Sequence, residues 1–149
     1  LRLGWVQAHR SVIRRLAGCG LLDSGGGMNP FTAAIVRHMI DSGDLSEHIL
    51  SLSKEYNRRR DALDIALQQY IPQAAYTCPE GGFFFWARLP GLDTTSLRPR
   101  LREFEVDIRP GALFSGLGEL KEYIRLGFCH FPVGDIEEGV RRLSCALAC

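Results

Sequence analysis

The stretch Glu122-Tyr123-Ile124-Arg125-Leu126-Gly127-Phe128 decides the reading of this chain. Ile124, Leu126 and Phe128 alternate with Tyr123, Arg125 and Gly127, which is the period of a β-strand with one apolar face. Period two then turns the Arg125 guanidinium away from the core. A charge in the middle of an apolar strand needs a partner, because an unpaired buried charge is costly. A planar guanidinium suits a carboxylate, which it grips through two parallel hydrogen bonds. From the strand alone, that carboxylate belongs either to another part of the protein, as an ordinary ion pair, or to a ligand.

The neighbouring segments narrow the choice. Upstream lie Leu1-Arg2-Leu3-Gly4-Trp5, the run Pro79-Glu80-Gly81-Gly82-Phe83-Phe84-Phe85-Trp86-Ala87-Arg88-Leu89-Pro90, and Val106-Asp107-Ile108-Arg109-Pro110-Gly111-Ala112-Leu113-Phe114. Downstream lies Asp135-Ile136-Glu137-Glu138-Gly139-Val140-Arg141-Arg142-Leu143. In this order and at these distances the segments resemble the C-terminal part of class I/II aminotransferases, pyridoxal-phosphate enzymes of the aspartate aminotransferase fold. Within them the resemblance is to the aminoadipate and kynurenine/aromatic branch.

The resemblance implies an α/β fold in three parts. Residues 1–43 would be the C-terminal remnant of a large cofactor-binding domain, 44–71 a long interdomain helix, and 72–149 a small C-terminal α/β domain. It also implies amino acid and 2-oxo acid substrates, a homodimer, a cytoplasmic setting with a mitochondrial one compatible, and pyridoxal 5'-phosphate as cofactor. Arg125 matches the arginine that binds the substrate α-carboxylate. Arg2 matches an arginine on the cofactor phosphate, and Asn29-Pro30 a segment near the partner's active site, which makes Asn29 a further cofactor-side candidate. Read without the resemblance, Arg2 is a strand-end surface residue and Asn29 the end of a glycine-rich loop.

Transamination needs an amine to hold the cofactor as a Schiff base and to shuttle the α-proton. The family places that lysine a few residues before the equivalent of Leu1. This chain has only Lys54 and Lys121, and neither matches the motif. The chain also begins without Met, so a truncated or processed product, inactive alone, is expected. The alternative is a non-catalytic binding module: a truncated isoform, or the effector-sensing part of a transcription regulator that carries an aminotransferase-like domain.

The rest of the sequence is compatible with either reading. The 149 residues are enough for a real core. Hydrophobic content of 46% and charged content of 23% are ordinary for a globular protein. A net charge of +1 leaves no footprint for nucleic acid, and no apolar run approaches the roughly 20 residues of a spanning helix. Cys19, Cys78, Cys129, Cys145 and Cys149 share no CxxC spacing, which favours free thiols over a disulfide scaffold or a metal site.

In chain order, Leu1, Leu3 and Trp5 alternate and predict a short strand, and His9–Leu22 an amphipathic helix. Ser24–Met28, with three glycines, forms a turn into a helix starting at Pro30, a place where free N–H groups could cradle an anion. Asp44 and Glu47 open a helix whose apolar stripe runs to Ile71, roughly 40 Å. Arg58-Arg59-Arg60 reads as its solvated face, with Glu55 and Asp61 close by. Four successive aromatics, Phe83 to Trp86, predict a strand covered on both faces. Leu97, Leu101 and Phe104 predict a short helix, Val106–Ile108 a strand, and Ile136, Val140, Leu143 and Leu147 a closing helix with Glu137/Arg141 and Glu138/Arg142 as i,i+4 pairs.

Overall fold

The computed structural model describes residues 2–23 and 29–148. They form two compact units, Leu1–Ser51 and Leu52–Cys149. The first contains α1 (Arg10–Ala17), α2 (Gly20–Asp23), α3 (Pro30–Ser42) and the start of α4 (Asp44–Tyr70). The second contains the rest of α4, β1 (Ala75–Tyr76), β2 (Phe84–Arg88), α5 (Arg98–Glu103), β3 (Arg109–Pro110), β4 (Tyr123–Gly127) and α6 (Val133–Ala148).

In the first unit, residues 2–9 carry no regular structure, against the strand expected at Leu1–Trp5. Arg2 has φ 55°, the left-handed region, which interrupts an extended run. A strand also needs a partner, and among the described residues every paired strand lies at Ala75 or beyond. The helix expected over His9–Leu22 divides at Gly18 into α1 and α2. Its start is set by His9, whose Nδ1 accepts the Ser11 N–H at 3.4 Å. At α3 the Pro30 opening holds, and Gly43 with φ 87° closes the helix in the left-handed cap that glycine adopts without strain. The glycine turn at Ser24–Met28 lies outside the described residues. Trp5, Val12, Leu16, Phe31 and Ile40 are all exposed.

The second unit is a four-stranded antiparallel sheet in the order β1-β2-β4-β3. Its core packs Leu63 and Leu67 of α4, and Ile71 just past its end, with Phe85, Ala87, Ile124 and Phe128 of the sheet region and Ile136, Val140 and Leu143 of α6. Burial of α4 concentrates in this C-terminal part, while Ile49 and Leu50 stay exposed. Pro99 sits in the first turn of α5, where its missing N–H costs nothing.

Four expectations change here. The aromatic run is not covered on both faces: Phe85 is wholly buried, whereas Phe83, Phe84 and Trp86 are exposed. Within this unit, α4 and α6 pack on the face carrying Phe85 and Ala87, as antiparallel sheets permit. The edge strand falls at Arg109–Pro110 rather than Val106–Ile108. Residues 106–108 instead close α5, with Val106 N–H on the Leu101 carbonyl and Asp107 holding Arg98 at 2.7 Å. The Arg98 guanidinium lowers the Asp107 pKa below the usual carboxylate range.

The Arg58–Arg60 run is likewise not all solvated. Arg59 pairs with Glu55 at 2.8 Å and donates from Nη1 to the Cys129 carbonyl at 2.6 Å. Arg60 pairs with Asp61. On α6, Glu138 takes both Arg141 and Arg142, so the expected Glu137/Arg141 pair is replaced. A three-residue step lets one carboxylate reach both guanidiniums.

Candidate functional site: the open face of the sheet

β4 is fixed along both edges. Phe85, Trp86 and Ala87 pair with Leu126, Arg125 and Ile124, and the Leu89 N–H donates to the Glu122 carbonyl at 2.7 Å. Glu122 itself holds Arg88 at 2.6 Å and accepts the Gly91 N–H at 2.7 Å. The Gly91 hydrogen bond first, then Arg88, holds its carboxyl below the usual range. Beside the strand, buried Thr94 places Oγ1 2.8 Å from the Lys121 carbonyl and 2.9 Å from that of Tyr123. On the β3 side Gly111 lies so close that a Cβ there would stand 2.6 Å from the Tyr123 Cβ.

This frame presents Arg125 on the face away from the core, as period two requires. The Arg125 Cζ lies 4.1 Å from the Phe84 ring centroid and 4.5 Å from that of Phe114. Trp86 continues the shelf, stacked on Tyr123 at 5.5 Å and edge-on to Phe114 at 5.6 Å. Contact with ring faces orients the guanidinium and contributes about 0.5–1 kcal/mol at an exposed site. Among the described residues no carboxylate pairs with Arg125, so the ordinary intramolecular ion pair does not form there. A guanidinium in this setting is able to take an anion along its N–H edges.

Arg125 lines an open cavity of about 740 Å³ with Phe84, Gly127, Arg109, Asp107 and His130. Arg109 lies one residue past the strand that the sequence predicts at Val106–Ile108. It is the direct cross-strand partner of Arg125. The signal for it was Pro110, since a proline is tolerated on an edge strand. Phe114 was equally hidden, because the 3₁₀ turn Gly111–Phe114 carries it back over the sheet.

The other two candidates belong to the first unit. Arg2 is exposed, and among the described residues it has no carboxylate partner. Asn29 is exposed and caps α3, its Oδ1 accepting the Thr32 N–H at 3.2 Å. Lys54 lies on α4, and Lys121 stands 4.0 Å from Asp93 with its side chain 65% exposed. Among the described residues no three His, Cys, Asp or Glu side chains gather as a metal-ligand set, and no helix is long and apolar enough to cross a membrane.

Comparison with known proteins gives this arrangement a family. The chain is 34% identical over 145 residues to aromatic-amino-acid aminotransferase 1 of Thermococcus litoralis, covering 96% of this chain and 34% of that protein. It is 29% identical over 145 residues to the uncharacterized HTH-type transcriptional regulator YisV of Bacillus subtilis, covering 95% of this chain and 29% of that one. The crystal structure of a kynurenine aminotransferase from Pyrococcus horikoshii superposes with a TM-score of 0.85 at 30% identity, over 93% of this chain and 35% of the other. The chain thus spans about a third of the length of the relatives it matches. The fold is that of aspartate aminotransferase-like enzymes. Residues 1–143 match the family model described as aminotransferase class I and II, and to that family the chain belongs.

Proposed function

We propose that this chain supplies the substrate-carboxylate side of a pyridoxal-phosphate aminotransferase, which moves an amino group between an amino acid and a 2-oxo acid. The observation that carries the reading is Arg125: a guanidinium held against two aromatic rings and lacking a carboxylate among the described residues. In this role Arg125 grips the α-carboxylate through its fork and so orients the α-carbon. Pyridoxal phosphate, when bound, supplies the electron sink for loss of the α-proton. Of this chain's residues, Arg2 offers an exposed guanidinium of the type that binds phosphate, and Asn29 retains a side-chain amide nitrogen beyond its capping oxygen. Neither Lys54 nor Lys121 adjoins the Arg125 cavity, so the lysine that carries the cofactor comes from outside these 149 residues. The chain alone is then inactive, and the complete enzyme works as a homodimer.

The test is Arg125→Lys in the complete enzyme. The charge stays but the bidentate fork goes, so the KM for the amino acid should rise about tenfold to a hundredfold while cofactor content holds. An unchanged KM would overturn the assignment. Incubating the 149-residue chain with pyridoxal phosphate and borohydride should leave its intact mass without a stoichiometric adduct.

The likeness to a regulator favours a second reading, in which the same Arg125 shelf senses an effector carboxylate without turnover. Saturable amino acid binding with no amino transfer in the cofactor-loaded protein would select it.

A further inference from the structure

Among the described residues one polar side chain is wholly buried, that of Thr94. A hydroxyl in such a place costs free energy unless it is bonded, and a valine of the same shape would avoid the cost. The bonds it makes all go to one stretch of backbone. Thr94 Oγ1 lies 2.8 Å from the Lys121 carbonyl and 2.9 Å from that of Tyr123, so its single proton serves both. The Thr94 N–H donates to the Lys121 carbonyl as well, at 2.8 Å. Contacts on either side of Glu122 fix both the height and the pitch of the chain as it enters β4. Tyr123 lies just past the last pair of the β3 ladder, Pro110 with Ile124.

Tyr123 and Arg125, two apart on the strand, share the open face. Trp86, the cross-strand partner of Arg125, stacks on the Tyr123 ring with an interplanar angle of 17° and meets Phe114 edge-on. Phe114 in turn lies under the Arg125 guanidinium. The rings touch in series, and close-packed groups pass a displacement on rather than absorb it. We propose that Thr94 is a positioning residue: its hydroxyl holds Tyr123, and through the rings of Tyr123, Trp86 and Phe114 it sets the direction of the Arg125 guanidinium. This deepens the reading of Arg125 and rests on it. A threonine far from the open face thereby tunes how well the carboxylate is gripped, without touching it.

The test is steady-state kinetics and bound-cofactor content of the complete enzyme, with Thr94→Val and Thr94→Ser each alone and combined with Arg125→Lys. Thr94→Val keeps the shape and loses the hydroxyl, so the amino acid KM should rise about threefold to tenfold while cofactor content holds. Thr94→Ser keeps the hydroxyl and loses only the methyl, and should leave KM unchanged. With Arg125→Lys in place, Thr94→Val should raise KM no further, as residues acting through one group are not additive. A merely structural threonine gives another pattern: serine raises KM as much as valine does, or the Thr94→Val and Arg125→Lys effects multiply. Either result overturns the positioning role, as does an unchanged KM in Thr94→Val. A raised KM in Thr94→Ser counts against the role whether or not Thr94→Val folds. If Arg125→Lys itself leaves KM unchanged, the Arg125 reading fails and this one with it; a raised KM there, with none in Thr94→Val, removes Thr94 alone.

Discussion

Along β2, Phe85 and Ala87 are fully buried, while Phe84 and Trp86 between and beside them keep 43% and 37% exposure. Across the ladder the same split separates Ile124, fully buried, from half-buried Arg125. One face is sealed by α4 and α6. The other is an aromatic shelf holding a guanidinium that no carboxylate among the described residues pairs with. On these two strands the open face carries more rings than the covered one, so aromatic content does not decide which becomes core. Helix coverage within this unit decides.

That contrast can be broken by mutation. Phe85→Ala should cost about 3–5 kcal/mol in urea denaturation, the cost of emptying a packed aromatic site. Gly111→Ala tests how firmly the shared frame is held: with the Tyr123 Cβ 2.6 Å from the new methyl, the backbone must shift. A loss of about 1–3 kcal/mol is expected in the same measurement. Phe84→Ala, on the open face, should change stability by less than about 1 kcal/mol. Equal costs at Phe84 and Phe85 would erase the distinction between the faces.

The smallest effect concerns pH. The Arg141 and then the Arg142 guanidinium hold Glu138 at about 2 against an ordinary 4.5. A depressed carboxyl gives stability above its unfolded pKa, and that stability is lost as pH falls through the folded value. Thermal midpoints should therefore fall between pH 4.5 and about 2, and Glu138→Gln should flatten that part of the curve.

Much of this was legible in the sequence where a pattern is long or punctuated. The α4 helix and the C-terminal part of its stripe, Pro99 in α5, the period of β4 and the face of α6 all stand where periodicity places them. What escaped depends on partners distant in sequence. Leu1–Trp5 alternates like a strand, yet strand pairing is a property of two segments. Phe83 to Trp86 reads as doubly covered because composition does not reveal how many layers a sheet has. The outward direction of Arg125 followed from period two. Its shelf did not, since Phe114 comes from a separate turn and Arg109 depends on register.

The bond from Arg59 to the Cys129 carbonyl has a mechanical consequence. It spans from the side of α4 to the chain just beyond β4, four residues past Arg125. At 2.6 Å there is little slack. A slide of α4 by a single residue, about 1.5 Å along its axis, would break that bond or drag the end of β4 with it. The guanidinium thus acts as a linchpin: the strand that carries Arg125 and the long helix shift together, or the pin must first be pulled.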